Sequence, residues 1–261
     1  MIFRTLYQVY GYRELLYALI TRDIKVRYKQ SLLGVCWALL QPLALMIIFT
    51  IVFSRFASIA TPGIPYPIFS YCALLPWTFF STSLSFAIPS LVNNITLITK
   101  IYFPREIFPI AAVAACFFDF LVASLVFVGM MVIYHVAPTM ALIFLPILLA
   151  IQIVLTLGIA LFASAANVFF RDIRYVVPLA LQIWLFLSPV IYPLALVPEK
   201  YRSLYLLNPM AVLIDGYRTV VLNGMAPSAI WLAWAALISF LVFAGSYLFF
   251  KKIEMRFADL I

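Results

Sequence analysis

The chain has 261 residues, of which 67% are hydrophobic and only 10% are charged, and its mean hydropathy is +1.14. Soluble domains contain about 45–50% apolar and about 25% charged residues, so this composition excludes a soluble protein. It indicates a polytopic membrane protein. The formal net charge is +8, and the basic residues lie mostly in the segments that flank the apolar runs.

Six apolar runs approach or exceed the length of roughly 20 residues that a helix needs to cross a bilayer core of about 30 Å. They are residues 34–54, 66–92, 107–134, 141–169, 176–192 and 229–250. Because the runs are continuous and do not alternate apolar with polar residues, they favour helices over the strands of a barrel. The predicted fold is all-α, with six transmembrane helices.

The basic residues predict the orientation of these spans. Thirteen of the 17 Lys and Arg side chains lie before the first span, in the 2–3 and 4–5 loops, or after the last span. Cytoplasmic loops carry an excess of such residues, so both termini are predicted to be cytoplasmic. The predicted divisions are a cytoplasmic arm (1–33), a transmembrane domain (34–250) and a cytoplasmic tail (251–261).

The N-terminal arm predicts an amphipathic helix at the membrane surface. Charges at Arg4, Arg13 and Glu14 interrupt the apolar stretch that a signal sequence would need. Between residues 12 and 28, apolar side chains recur at helical spacing, while basic side chains share another face and would attract anionic headgroups of membrane lipids. The alternative is that these charges only set the topology.

The residues that an enzyme would need are mostly missing. There is one histidine, His135, and the cysteines Cys36, Cys72 and Cys116 fall in three different spans without metal-ligand spacing. All three are predicted to be buried thiols that contribute packing. A phosphate-binding G-x-x-x-x-G-K-[ST] loop is also missing. The chain is therefore expected to have no catalytic, metal or cofactor site, and if its work needs ATP, another chain supplies the ATPase with its ATP and Mg²⁺.

Asp119 is the one charged residue within the predicted spans, where an unpaired carboxylate would cost about 2.5–3.5 kcal/mol. It is expected either to line a pore or relay protons, or to accept hydrogen bonds from a neighbouring helix. The chain also has 24 Phe, 15 Tyr and 5 Trp, whose rings would offer a stacking surface for sugars or simply face lipid. The predicted channel lining consists of Trp37, Trp77, Phe79, Phe80, Asp119, Trp184 and Phe186.

Two connections are unusually apolar. In the outer segment 193–228, residues 208–224 are too short and too charged to cross, which predicts short re-entrant helices with Asp215 paired to Arg218 at i, i+3. This segment is either an outer gate or an ordinary loop helix. The predicted gate residues are Asn208, Pro209, Asp215, Tyr217 and Arg218. The inner connection 93–106 would need a partner protein to cover it, unless it packs on its neighbouring helices.

Several blocks of sequence resemble one family. They are residues 22–28 (RDIKVRY), 31–34 (SLLG), 37–42 (WALLQP), 100–106 (KIYFPRE), 167–173 (NVFFRDI), 188–193 (SPVIYP) and 207–210 (LNPM). In this order they resemble the membrane subunits of ABC exporters for polysaccharides and polyol phosphates, of the type that exports O-antigen or teichoic acid.

The resemblance implies a homodimer in the bacterial inner membrane that works with two copies of an ABC ATPase. The connection 93–106 would couple to the ATPase through Asn94, Leu97, Lys100, Tyr102, Phe103 and Arg105. The substrate would be a polysaccharide on undecaprenyl pyrophosphate or a similar polyprenyl anchor.

The headgroup of this substrate would enter at the N-terminal helix and the turn that follows it. Arginine and lysine hold pyrophosphate through charge-assisted hydrogen bonds, and a glycine permits a sharp turn close to a ligand. The predicted entrance residues are Arg22, Arg27, Tyr28, Lys29, Leu33 and Gly34.

Three alternatives stay open. The first is an exporter of teichoic acid or capsule polymer, and the second is an exporter of small lipids or drugs, which should lack the aromatic lining and the arginine-rich entrance. The third is a polyprenyl-handling membrane enzyme, which would need paired acids to bind metal, whereas the cytoplasmic acids here are scattered. Membrane lipids are expected partners as well, and nucleic acid is not among the expected ligands.

Overall fold

The computed structural model describes residues 11–29, 33–57, 61, 63–100, 103–254 and 257, and these residues form helices without any strand. The all-α prediction is therefore confirmed for this part of the chain. The α-helices are α1 (Arg13–Tyr28), α2 (Cys36–Phe49), α3 (Tyr66–Ala87), α4 (Ser90–Asn93), α5 (Ile95–Lys100), α6 (Ile107–Ile133), α7 (Leu145–Phe169), α8 (Ile173–Phe186), α9 (Glu199–Tyr205), α10 (Pro209–Val221) and α11 (Ala229–Ile253). Tyr102, residues 1–10 of the arm and residues 258–261 of the tail lie outside the described residues.

Among the described residues, four helices are long and apolar enough to cross a membrane: Cys36–Phe56, Ile107–Ile133, Met140–Phe169 and Ala229–Ile253. They correspond to the first, third, fourth and sixth predicted spans. The second predicted run forms α3, which ends at Ala87, and the short helix α4 follows it. The fifth forms α8, which has only 14 residues and ends at Phe186.

Helix α3 lies at the centre of the bundle and packs against α2, α6, α7, α8 and α10. Its sequence is richer in serine and threonine than the four spans above. Several of these hydroxyls in α3 donate to carbonyls one turn earlier, as from Thr78 to Leu74 at 2.7 Å and from Thr82 to Thr78 at 2.5 Å. Because such hydroxyls are satisfied within the helix, they can be placed among other helices without a large cost.

A second apolar cluster joins α1 to the inner connection and to the end of α11. Its members include Leu19, Ile98, Phe103, Phe108, Phe250 and Phe257. Ile98 and Phe103 are only 4% and 5% exposed. This packing fits the expectation that the inner connection packs on its neighbours, and it removes these two side chains from the surface that a partner would cover.

The first span has two local irregularities. Before it, Gly34 has a φ of +50°, which confirms the sharp turn expected at this glycine. At its other end, α2 continues as a π-helix from Thr50 to Phe56. Cys36, at the start of α2, is exposed, which contradicts its predicted burial, whereas Cys72 and Cys116 are buried as expected. The difference arises because α2 packs on the bundle along one side only.

Candidate functional site

Asp119 of α6 accepts hydrogen bonds from two side chains at the end of α1. Arg27 Nη1 lies 2.5 Å from Asp119 Oδ2, and the Tyr28 hydroxyl donates to Oδ1 at 2.6 Å. The second expectation for this carboxylate, a hydrogen bond to a neighbouring helix, is confirmed. The structure thus brings together residues that were assigned to two separate places, the headgroup entrance and the channel lining.

The Arg27 guanidinium is enclosed on several sides. It lies 3.8 Å from the centre of the Phe86 ring, and Nη2 donates to Cys116 Sγ at 3.3 Å. The side chains of Arg27 and Asp119 are 14% and 20% exposed, so their attraction is less screened than that of a surface ion pair. Burial and the hydrogen bond to Asp119 raise the pKa of Tyr28, which keeps its hydroxyl protonated as a donor.

A cavity of about 210 Å³ opens beside this cluster, between α1, α2, α3 and α6. Its walls combine hydrogen-bonding groups with planar rings. They include Arg27, Tyr28, Trp37, Gln41, Thr78, Phe79, Thr82, Phe86, Asp119 and Phe120. Trp37 and Gln41 are one helical turn apart on α2, and both are exposed. The arrangement offers stacking surfaces and hydrogen-bond partners around an ion pair whose formal charges cancel.

A second cavity of about 340 Å³ shares Arg27 and Phe86 with the first. Its other walls include Arg22, Asp23, Ser90, Asn93 and Asn94. The stacked pair of Arg27 and Phe86 therefore forms a wall common to both cavities. Basic side chains thus line the second cavity as well as the first.

Arg22 links this second cavity to the inner connection. Its guanidinium donates to Asp23 Oδ1 at 2.9 Å and to Asn94 Oδ1 at 2.7 Å. Lys29 and Leu33, also predicted at the entrance, are exposed and do not line either cavity. Of the predicted entrance residues, Arg27 and Tyr28 therefore form the cluster, with Arg22 next to it.

The residues predicted to line the channel fall into a buried group and an exposed group in the structure. Trp77, Phe79 and Phe80 are 5%, 2% and 0% exposed, because they belong to the central helix α3 and pack within the chain's own core. Trp77 and Phe80 are thereby corrected from channel lining to core residues in this conformation, whereas Phe79 reaches the first cavity. Trp37 and Phe186 are exposed. Of the predicted lining rings, Trp37 and Phe186 are therefore the most exposed in this conformation.

The residues before α6 are tied to the end of α11 by charged groups. Lys251 Nζ lies 2.8 Å from carboxylate oxygens of both Glu106 and Glu254. Arg105 donates through Nη1 to the Glu254 carbonyl and through its backbone N–H to Glu254 Oε1 at 3.2 Å. Burial raises the pKa of Glu106, and the Lys251 ammonium opposes this rise.

Sequence reasoning missed this network because its partners are far apart in the chain. The i, i+3 spacing of Lys251 and Glu254 was the only local sign of it. Of the other predicted coupling residues, Leu97 is partly buried against the second apolar cluster and Lys100 is exposed. Phe103 is buried, and Arg105 is partly buried and binds Glu254 of its own chain.

Asn208 connects α8 to α10 in the outer segment. Its Oδ1 accepts from the Met210 backbone N–H and from Trp184 Nε1, both at 3.0 Å, so it caps the N-terminus of α10. Its Nδ2 donates to the Leu187 carbonyl at 3.1 Å and to Ser188 Oγ at 3.0 Å. Trp184, predicted to line the channel, is partly exposed and donates this hydrogen bond to the outer segment. Pro209 occupies the first turn of α10, where a missing N–H is tolerated.

Arg218 is not paired with Asp215, so that expectation is wrong. Both residues are described, and no ion pair joins them. Arg218 is 4% exposed and stacks 3.5 Å from the centre of the Phe69 ring. Its guanidinium donates to the backbone carbonyls of Phe69, Pro189, Val190 and Tyr192.

The burial of α10 explains this difference, because it turns the arginine towards free carbonyls of the irregular segment that follows α8. Burial also lowers the pKa of Arg218 to about 10. On the same helix, burial raises the pKa of Asp215, and Tyr217 donates to Gln152 Oε1 of α7 at 2.8 Å. The outer segment is thus held to the bundle by buried polar contacts from Asn208, Tyr217 and Arg218.

Comparison with known proteins supports the resemblance. The O-antigen export system permease protein RfbA of Myxococcus xanthus is 33% identical over 98% of each chain. The protein of the same name from Klebsiella pneumoniae is 29% identical over 95% of each chain. The polysialic acid transport protein KpsM of Escherichia coli is 27% identical over 91% of this chain and 93% of that protein. Residues 14–222 match the family described as ABC-2 type transporter, and the chain belongs to that family.

Proposed function

We propose that this chain is the membrane subunit of an ATP-driven exporter that moves a polyprenyl-pyrophosphate-linked polysaccharide across the bacterial inner membrane. The observation that carries the proposal is the match, over nearly the full length, to relatives named for O-antigen export. The cavities beside Arg27 and Arg22 agree with it, since they place guanidinium groups where an anionic headgroup would arrive before crossing.

The proposed topology has six spans. Helix α3 has 22 residues and would extend about 33 Å, which is enough to cross the apolar core. Helix α8 has 14 residues and would cross together with the turn that follows it. The basic residues before the first span and after the last one support cytoplasmic termini. Helices α9 and α10 would then be re-entrant helices on the outer side, where Asn208 and Arg218 hold a gate.

The proposed assembly contains two copies of this chain and two copies of a separate ATPase, which binds ATP and Mg²⁺. The support for a second copy is the exposed surface of α2, which carries Trp37 and Gln41 at the mouth of the first cavity. The ATPase would contact the cytoplasmic connection around α5, where Thr96, Thr99 and Lys100 are exposed. The similarity to the polysialic acid transport protein favours a second candidate of the same class, a capsule polymer.

The proposed function is tested by depletion of the chain in its host. Surface polysaccharide should fall and polyprenyl-linked polymer should accumulate on the cytoplasmic side, and expression of the unaltered chain should restore both. A variant of the partner ATPase that cannot hydrolyse ATP should reproduce the defect. If surface polysaccharide is unchanged after depletion, the chain does not export it.

A further inference from the structure

Helix α1 is tied to the rest of the chain at two points that belong to different parts of the transporter. Near its end, Arg27 and Tyr28 bind Asp119 of α6. Five residues before Arg27, Arg22 binds Asn94, which immediately precedes α5. One short helix therefore contacts both the cavity in the membrane and the connection that is proposed to meet the ATPase.

An anion that enters the first cavity would disrupt the ion pair between Arg27 and Asp119. A pyrophosphate would offer Arg27 several charged oxygens, and it would also repel the Asp119 carboxylate that Arg27 now neutralises. The pair is mostly buried, so this competition is only weakly screened by water and salt. Arg27 therefore has two alternative anionic partners, one in its own chain and one in the proposed substrate.

We propose that Asp119 is a charge sensor for the substrate, which holds Arg27 while the cavities are empty and releases it to the anionic headgroup of a polyprenyl-linked substrate. This inference rests on the proposed function. Release of Arg27 removes one of the two polar contacts of α1 with Asp119 and leaves the Tyr28 hydrogen bond, about which the end of α1 can shift. The shift reaches Asn94 through Arg22 and reports substrate to the ATPase. Asp119 is in this sense a positioning residue for Arg27.

The Cys116 thiol provides a direct readout of this step. It is only 1% exposed, and Arg27 Nη2 lies 3.3 Å from its sulfur. When Arg27 leaves Asp119, the guanidinium no longer covers this thiol. The chain has three cysteines, so a variant with Cys36→Ser and Cys72→Ala keeps Cys116 as its single thiol.

The first experiment measures the rate at which N-ethylmaleimide labels Cys116 in this variant, assembled with its ATPase in proteoliposomes. Undecaprenyl pyrophosphate should accelerate labelling several-fold, whereas undecaprenol and inorganic pyrophosphate should not. An unchanged rate with undecaprenyl pyrophosphate would overturn the sensor. Equal acceleration by undecaprenol would show that the headgroup charge is not what is sensed. Equal acceleration by inorganic pyrophosphate would show that the ligand need not be attached to a lipid. Either result would contradict the proposal.

The second experiment compares Asp119→Asn with Asp172→Asn, which neutralises an exposed acid. In Asp119→Asn, basal ATP hydrolysis should rise towards the stimulated rate, and further stimulation by undecaprenyl pyrophosphate should be lost. A purely structural ion pair would instead lower thermal stability and leave stimulation intact, which would contradict the sensor. If Asp119→Asn does not fold, the labelling experiment decides. If the unaltered complex is not stimulated at all, the proposed substrate class itself fails.

Discussion

Gly158 of α7 lies directly against the backbone of Phe243 in α11. A β-carbon at position 158 would be 2.8 Å from both the Cα and the N of Phe243, closer than such atoms approach in proteins. Helices α7 and α11 pack along each other, and the absence of a side chain at this point lets their backbones meet. Small residues have this role in membrane helix pairs, where lipid offers no hydrophobic driving force for association.

Replacement of Gly158 by alanine should therefore destabilise the protein, because the backbone of α11 must move to make room. The expected loss is about 1–3 kcal/mol, the usual cost of overpacking, although alanine is the better helix former. The measurement is the midpoint of thermal unfolding in detergent. Gly245→Ala is the matched control, since a β-carbon at that position meets nothing within 4 Å. Equal midpoints for the two variants would contradict the close approach.

Replacement of Lys251 by methionine should leave Glu106 without its cation, although that carboxylate is only 1% exposed. Loss of one partner of a buried pair typically costs about 3–5 kcal/mol at neutral pH. Lys252→Met is the control, because Lys252 is exposed. A similar loss of stability in both variants would mean that the pair with Glu106 does not matter.

The same variant should make stability depend on pH. Burial already raises the pKa of Glu106, and without the opposing ammonium the folded-state pKa rises further. The folded state then holds a proton that the unfolded state releases above its ordinary pKa of about 4.3. Stability is thus greatest below that value and is lost as the pH rises through the folded-state pKa. Unfolding midpoints at acidic and mildly alkaline pH should show a larger deficit at the alkaline end.

Arg218→Lys should loosen the outer segment. Lysine has three donors on a flexible stem and cannot reproduce the flat guanidinium that stacks on Phe69 and reaches four carbonyls. Charge-assisted hydrogen bonds contribute about 1.5–3 kcal/mol each, so the loss of even one should lower the unfolding midpoint clearly. Arg174→Lys is the control, since Arg174 is exposed. A drop no larger than that of the control would refute the clamp.

Asn208→Ala should also destabilise this region. It removes the cap of α10 and leaves the Trp184 indole N–H without its acceptor, for a combined cost of about 1.5–5 kcal/mol. Asn223→Ala, at an exposed asparagine, should be nearly neutral. Trp184→Phe retains a ring next to Phe80 and should cost less than Asn208→Ala. Limited proteolysis of the outer segment would detect the local loosening even where the global midpoint hardly moves.

The sequence predicted the long helices well, because an apolar run is a local property. The run 107–134 became Ile107–Ile133, and the run 141–169 became Met140–Phe169. Exposure was harder to predict. Trp77 and Trp37 are equally apolar, yet one lies in the core and the other is exposed, since hydropathy does not separate contact with lipid from contact with another helix.

The sequence predicted which residues belong to the candidate site, but it did not predict which of them form ion pairs. Arg27 and Asp119 were both singled out, but they are 92 residues apart in the chain, so no local pattern connects them. The spacing of Asp215 and Arg218 did suggest a pair, and burial of α10 overrode it. An unpaired charge in the membrane is costly. A lone acid within a span is therefore a reason to look for a basic partner in the segments next to the spans.

The π-helix from Thr50 to Phe56 determines where the first span can tolerate the deletion of a residue. A π-helical turn joins residues i and i+5 and so contains one residue more than the i to i+4 turn of an α-helix. The stripe of side chains along Cys36–Phe49 is therefore rotated before it reaches the far end of the helix. Loss of a single residue here would convert the wide turn to α-helical bonding and be absorbed locally. The same deletion within Cys36–Phe49 would rotate Trp37 and Gln41 relative to everything that follows them.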